Sequence, residues 1–148
     1  MNLEDALLRP DEFDGMTISI PWQPLIGNDF SVIHVSVFGN FFLADGNQRI
    51  WLLDSWSGQL HGVSPSFDDF KVKVGTDPEF FRSWFLIDFL EILTTNGLSR
   101  EKGQVFSPFV SPGVGGSLTP KNFTLAPLRA HVACMAGEAA ARRQAEVH

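Results

Sequence analysis

Residues 31–38 form a short β-branched run in which His34 and Ser36 alternate with valine and isoleucine. A run of this kind is typical of a strand with one fully buried face. Gly39-Asn40 supplies the flexible residues at which such a strand bends back.

Two further apolar runs, residues 41–43 and 49–53, are separated by Asp45-Gly46-Asn47. Residues of these types tolerate positive φ, so the segment predicts a β-hairpin. A second turn, Ser57-Gly58, leads into residues 59–63. Together these segments predict an antiparallel meander of three or four strands.

Helix signals follow the meander. Ser66 is placed to cap a short helix over residues 67–74, and Asp77-Pro78 predicts the start of a longer one. That helix is expected to run to about residue 94 and to stop at Asn96-Gly97. Its apolar residues are more numerous than one core-facing stripe needs, so some must meet a second layer.

The last third of the chain predicts a strand over residues 104–110 and a loop rich in Gly and Pro over residues 111–120. Residues 123–126 read as an edge strand because prolines bracket them. An alanine-rich helix over residues 128–145 closes the sequence.

The first 30 residues differ from the rest. A short helix over residues 3–9, capped by Asn2 and ended by Pro10, is followed by repeated helix and strand breakers. We therefore expect residues 1–30 to form an irregular acidic arm laid on the domain, with Trp22 as its anchor. The predicted fold is α+β, an antiparallel meander packed against helices, in a single domain over residues 1–148 with its body at 31–148.

Charge is unevenly distributed. The net charge is −6, and residues 1–45, 46–99 and 100–148 carry −6, −3 and +3. This balance disfavours nucleic-acid binding and suits a basic protein partner, although plain solubility explains it too. The single cysteine, Cys134, excludes an intrachain disulfide, and no signal peptide or membrane span is expected. These features predict a cytoplasmic protein.

No pattern matches a catalytic or cofactor site. Ser57 lacks the glycine of a nucleophile elbow, and His131 with Cys134 is too small a set for a metal, so we expect a buried cysteine. Asp45-Gly46-Asn47 begins like a calcium loop but lacks its glutamate. The acidic pairs Asp68-Asp69 and Asp11-Glu12 are typical of solvated positions. We therefore predict no metal, no cofactor and no enzymatic activity.

The glycine-rich loop and two tryptophans, Trp51 and Trp56, are the other features that could form a functional site. The loop lacks the lysine of a phosphate-binding loop, so Pro112, Gly115 and Gly116 are interpreted as residues of a tight structural bend. Trp51 and Trp56 flank Asp54 near a turn, where aromatic residues either anchor an interface or pack in the core.

Several short motifs occur in a fixed order between residues 38 and 138. The first half holds Phe38-Gly39-Asn40-Phe41-Phe42, Trp51-Leu52-Leu53-Asp54, Ser57-Gly58 and Ser66-Phe67-Asp68-Asp69-Phe70. The second half holds Leu98, Gly103-Gln104-Val105-Phe106, Pro112, Val114-Gly115-Gly116, Asn122-Phe123, His131 and Gly137. In this order they resemble the C-terminal domain of bacterial type VI secretion immunity proteins, whose best-known members neutralise a DNase effector inside the producing cell.

The resemblance implies an immunity protein that occludes a cognate secreted toxin, and its nuclease members suggest a nuclease effector. Acids of the arm would steer the toxin, so the predicted partner-binding residues are Glu4, Asp5, Asp11, Glu12, Asp14 and Trp22. The alternative is a small-ligand-binding or regulatory domain that uses the glycine-rich loop with Trp51 and Trp56 as a pocket.

Overall fold

A four-stranded antiparallel sheet forms the centre of the fold, and its strands lie side by side in chain order. This computed structural model describes residues 1–147. The strands are β1 (Ser31–Val35), β2 (Phe41–Ala44), β3 (Ile50–Asp54) and β4 (Gln59–Ser64). The predicted meander is confirmed. β1 is shorter than expected because the Ser36 hydroxyl accepts the backbone N–H groups of Phe38 and Asn40 and closes a tight turn.

The β2–β3 hairpin is held by one side chain. The Asp45 carboxylate accepts the backbone N–H groups of Asn47 at 2.8 Å and Arg49 at 2.9 Å, together with the indole N–H of Trp51 at 3.0 Å. The residue with positive φ is Gln48, at +64°. The turn therefore lies where the sequence places it, but its left-handed residue is not one of the three expected.

Three short helices lie in the first 30 residues: α1 (Leu3–Ala6), α2 (Gly15–Ser19) and α3 (Gln23–Ile26). The predicted helix over residues 3–9 ends early because Leu7 pairs with Ser36, and the N–H of Leu8 donates to the carbonyl of Val35 at 2.9 Å. Hydrogen bonding to β1 replaces the last helical turn. The arm is thus more regular than expected and is joined to the sheet.

The long helix expected from residue 78 is broken in two, which corrects that prediction. α4 (Phe67–Thr76) is followed by α5 (Pro78–Trp84) and α6 (Ile87–Thr95), with Leu86 in the left-handed region at φ +55°. The break turns the chain so that both Phe85, 1% exposed, and Leu90, 2% exposed, reach the core. A straight helix would leave part of this apolar surface in water.

A two-stranded sheet of β5 (Gln104–Pro108) and β6 (Phe123–Pro127) precedes the last helix, α7 (Leu128–Val147). It is tied to the first sheet by the N–H of Phe106, which donates to the carbonyl of Val37 at 2.8 Å. β5 stops before the predicted residue 110 because the N–H of Val110 donates to the Asn122 side chain instead of to a strand.

Two aromatic clusters fill the core. Phe38 contacts the rings of Trp56, Phe89, Phe106 and Phe123, with centroids 5.8 to 6.4 Å apart. The ring of Phe42 packs on the rings of Phe70 and Phe85, with centroids 5.4 Å and 4.8 Å away. The first cluster joins turns of the large sheet to α6 and the two-stranded sheet, and the second joins the large sheet to α4 and the α5–α6 junction, which gives one α+β domain. Within residues 1–147 no helix has the length and apolarity needed to cross a membrane.

Candidate functional site

The acids of the N-terminal arm are largely engaged in local structure. The N–H of Asn2 donates to the Asp5 carboxylate at 2.9 Å, and Asp14 caps α2 by accepting the N–H of Met16 at 3.1 Å. Glu4 is exposed in the first turn of α1. Asp5 and Asp14 are exposed too, so their side chains remain accessible to a partner while they cap these helices.

Glu12 is buried and paired. Its carboxylate accepts Arg100 Nη1 at 2.7 Å and the N–H of Gly103 at 2.9 Å, and its side chain is 1% exposed. Burial alone would raise the pKa of Glu12, but the hydrogen bonds from Arg100, Arg9 and Gly103 outweigh it and lower the pKa to about 2. Glu12 is therefore removed from the predicted partner-binding set, since it holds the arm to residues 100–103.

The neighbouring acid, Asp11, pairs with Lys102 at 3.3 Å and with Arg9 at 3.5 Å, and its side chain is 59% exposed. The acidic arm thus folds against bases of the last third of the chain. Charges that are segregated along the sequence meet in space, so the arm presents less net negative charge than its composition suggests.

Trp22 is the anchor of the arm, as predicted, but it is unavailable to a partner. Its side chain is 1% exposed. Its ring lies close to Gly58, where α7 also approaches through Ala139. A side chain sealed in this way contributes to stability and cannot contact another protein without unfolding of the arm, which corrects its assignment as an interface residue.

Backbone contacts fix the shape of the glycine-rich loop. Pro112 opens a single helical turn, and the Ser111 hydroxyl donates to the Trp56 carbonyl at 2.8 Å. A side chain at Gly116 would overlap the carbonyl of Val110, and Gly115 has φ +98°. These positions therefore require glycine, which agrees with the structural role inferred for Pro112, Gly115 and Gly116.

Asn122 braces the same loop from the other side. Its Oδ1 accepts the N–H of Val110 at 3.0 Å, and its Nδ2 donates to the carbonyls of Val110 at 2.8 Å and Ser117 at 2.9 Å. Three hydrogen bonds from one side chain hold the two ends of the loop together. The loop is consequently ordered by the protein itself and needs no partner to define its conformation.

The loop nevertheless exposes apolar side chains. The exposed fractions are 68% for Phe109, 52% for Val110, 52% for Val114 and 50% for Leu118. We call residues 109–118 the apolar loop. Several large apolar groups on one short braced segment are typical of a contact surface, whereas single exposed apolar residues are ordinary. The sequence pattern predicts strand and loop for these residues, and the grouping of their apolar side chains is not among the predictions.

Charged residues of both signs lie around the apolar loop, since Asp54 accepts hydrogen bonds from Trp56 and Ser57 beneath it. Between Glu101 and Glu138 the sequence contains no Asp or Glu but holds Lys121, which is exposed. Arg142 Nη2 lies 3.5 Å from the Trp56 carbonyl, to which Ser111 also donates. The loop therefore combines apolar surface with an exposed lysine at its end, and the residues beneath it contact one basic and one acidic side chain.

A histidine lies between two serines in the interior, an arrangement that sequence spacing did not reveal. His131 is 1% exposed, with Nε2 3.0 Å from Ser55 Oγ and Nδ1 2.8 Å from Ser107 Oγ. Ser55 Oγ donates its single hydrogen to Asn40 Oδ1 at 3.0 Å, so it accepts from Nε2–H, and Ser107 donates to Nδ1. This neutral tautomer satisfies every ring nitrogen.

The environment of His131 indicates a structural role. Burial lowers the pKa of His131 to about 4, and the ring is enclosed by β5, the β3–β4 turn and Gly39. Serine and histidine within hydrogen-bonding distance suggest nucleophilic catalysis only where substrate can reach them. Here they join four segments of the chain instead.

The remaining polar candidates serve turns and helix ends. Ser57 donates to Asp54 at 2.9 Å, which confirms a turn serine. Asp69 accepts Lys73 Nζ at 2.9 Å on α4. Cys134 is exposed on α7, which corrects the expectation of a buried cysteine. Among residues 1–147, no group of three or more His, Cys, Asp or Glu side chains is arranged to hold a metal ion.

Neither protein-family models nor curated proteins give a match to the chain. A solved structure, the crystal structure of Atu4351 from Agrobacterium tumefaciens, is similar, with a TM-score of 0.61 at 14% sequence identity. The similarity covers 84% of this chain, and the chain spans 64% of the length of Atu4351. At this identity the likeness shows a shared α+β fold.

Proposed function

We propose that this protein is a cytoplasmic immunity protein that binds a cognate secreted toxin, a nuclease effector being the class implied by the sequence resemblance, and blocks it by occlusion. The observation that carries the proposal is the apolar loop. It presents Phe109, Val110, Val114 and Leu118 on a backbone already held in one conformation.

A braced apolar loop supports tight protein binding for an energetic reason. Ordering a flexible loop on binding costs conformational entropy, and here that ordering is built into the free protein by Asn122 and the glycines. Apolar side chains at the centre of a contact, surrounded by polar residues that exclude water, form the usual anatomy of a binding hot spot. Ser117 and Thr119 provide such polar neighbours.

The charge around the loop specifies the kind of surface it fits. Lys121 is exposed at the end of the loop, so the complementary surface is an apolar cleft with an acidic group at its rim. Steering by the exposed acids Glu4, Asp5, Asp11 and Asp14 is a separate proposal about a second contact region. Glu4→Lys tests it with the least disturbance and is expected to slow association at low salt.

The alternative, a ligand pocket formed by the glycine-rich loop with Trp51 and Trp56, has less support. The indole N–H of Trp51 donates to Asp45, and its ring packs edge-on against Phe30 with the ring centroids 6.4 Å apart. Trp56 packs directly beneath the loop, where a side chain at Gly113 would overlap its carbonyl oxygen. Close backbone packing thus fills the space where that pocket was expected.

The test is coexpression with the toxin-like product of the adjacent gene, with bacterial growth as the readout. We expect the wild-type chain to rescue growth and the double variant Phe109→Ser/Val114→Ser to fail at equal soluble level. The matched control, Met16→Ser/Val72→Ser, removes other exposed apolar side chains and should rescue fully. Failure of the wild-type chain, or sedimentation of the chain with anionic vesicles through the same loop, would contradict the proposal.

A further inference from the structure

A small cavity lies beside Trp56, and none of its lining residues belongs to the apolar loop. It is bordered by β3, β4 and the α5–α6 junction and has a volume of about 220 Å³. The lining residues that matter here are Asn40, Asp54, His61, Ser83, Trp84 and Leu86. Sites for drug-sized ligands usually measure roughly 300–1,000 Å³, so an occupant of this cavity must be small.

Asn40 brings an unused hydrogen-bond donor to this cavity. Its side chain is 3% exposed, and its Oδ1 accepts both the N–H of Ser55 at 2.9 Å and the Ser55 hydroxyl at 3.0 Å. A backbone N–H can only donate, so the atom facing Ser55 must be the oxygen and the amide orientation is fixed. Its Nδ2 makes no hydrogen bond within the described residues 1–147, and Trp56, which also lines the cavity, has a buried indole Nε1 without a hydrogen-bond partner there, which is unusual.

The opposite wall is aromatic and is shaped by a strained residue. His61 and Trp84 lie with ring centroids 6.5 Å apart at 52°. Leu86 adopts φ +55°, a conformation that leucine rarely takes. Because Leu86 separates α5 from α6, this conformation positions Trp84 and Ser83 at the cavity. Backbone strain concentrates at ligand sites when the surrounding structure maintains it.

We infer that this cavity binds a free, uncharged planar heterocycle of nucleobase size. The Asn40 amide would donate to a ring carbonyl or ring nitrogen, and the Asp54 carboxylate would accept an adjacent N–H. Each Asp54 oxygen receives one hydrogen bond, from Trp56 N–H and from the Ser57 hydroxyl, and keeps a lone pair. The site is separate from the proposed toxin contact, and a net charge of −6 disfavours the polymeric form of such bases.

The experiment titrates the full chain with adenine, cytosine and nicotinamide while the NMR signals of the Asn40 amide and the Trp84 indole are followed. We expect saturable shifts with at least one of these probes, at a dissociation constant of about 1 mM or tighter. Toluene, a ring without a polar edge, should give none. Absence of saturable shifts with all three heterocycles would overturn the inference, as would binding of a single-stranded oligonucleotide alone.

Two variants separate binding from folding. Asn40→Asp keeps an acceptor for Ser55 but removes the donor, and Ser83→Trp fills the cavity from an exposed position. Both are expected to weaken binding at least about 10-fold. Thr95→Trp, on exposed surface at the end of α6, is the matched control and should bind like the wild type. Unchanged binding in Ser83→Trp, with a thermal midpoint like that of the control, would overturn the inference.

Discussion

The imidazole of His131 occupies the space that a side chain at Gly39 would need, since a Cβ built there would overlap Cδ2 and Nε2 of the ring. Gly39 also has φ +78°. The glycine therefore meets two requirements at once, a left-handed turn after β1 and close approach of the buried histidine. This contact connects the first sheet to α7 across 92 positions of the chain.

Substituting Gly39 should therefore be more costly than substituting a glycine with positive φ alone. Gly97 has φ +86° but open space around it, so Gly97→Ala isolates the backbone cost of about 1 kcal/mol. Gly39→Ala adds the collision with His131 and should lower the free energy of unfolding by a further 1–3 kcal/mol, roughly. Urea unfolding of both variants measures the difference, and equal losses would show that the ring has room to move.

The buried histidine should make the protein sensitive to moderate acid. The pKa of His131 is lowered from 6.5 to about 4 in the folded chain, so between these values the unfolded chain binds a proton that the folded chain does not. The contribution of His131 to stability is then fully present above about pH 6.5. The free energy of unfolding falls by about 3 kcal/mol as the pH drops to about 4. Denaturant titrations across this range measure the loss.

A separate measurement identifies the group responsible. Burial also lowers the pKa of His34, so His34→Gln should remove only that residue's share of the pH dependence. The Glu12 carboxyl contributes in a different window, because its folded pKa of about 2 means that its contribution is lost only below about pH 4.5. NMR titration of His131 near its ordinary pKa of 6.5 would contradict the account.

The ion pair between Glu12 and Arg100 should hold the arm in place. Glu12→Gln keeps the shape of the side chain but removes the charge opposite Arg100, whose side chain is 20% exposed. We expect the free energy of unfolding to fall by about 2–3 kcal/mol. Hydrogen exchange should accelerate over residues 1–12. Asp11→Asn, at the neighbouring exposed position, is the control and should leave both measurements nearly unchanged. Similar behaviour of the two variants would rule out this role for Glu12.

Asn122 offers a test of the pre-organised loop that leaves its apolar surface intact. Asn122→Ala removes three hydrogen bonds from the base of the loop. Exchange of the loop amides should increase, and affinity for the toxin should fall roughly 10-fold through lost pre-organisation. Retained affinity with a mobile loop would mean that bracing does not contribute to binding.

Local signals explain which elements could be predicted. The Asp45 turn, the Ser66 cap and the Asn96-Gly97 helix end depend on residues within a few positions of one another, and all appear in the structure. The α5–α6 break carries no such signal, because neither Phe85 nor Leu86 favours a turn. It is imposed by packing of Phe85 on Phe42, which lies 43 positions earlier in the chain.

The candidate sites were harder to predict because their parts are distant in sequence. Ser55 and His131 meet across 76 positions, and Glu12 and Arg100 across 88. The charge pattern indicated an acidic arm but could not show that bases from residues 100–102 cover it. The apolar loop did carry a detectable signal, since Phe109, Val110, Val114 and Leu118 stand among Gly, Pro and Ser without helix or strand periodicity.

The affinity of the purified toxin for loop variants tests the central claim most directly. We predict by titration calorimetry that Phe109→Ser/Val114→Ser weakens binding at least about 100-fold, with its free energy of unfolding unchanged. Met16→Ser/Val72→Ser should bind like the wild type. Equal affinity of the wild-type chain and the loop variant would contradict the assignment of residues 109–118 as the toxin contact.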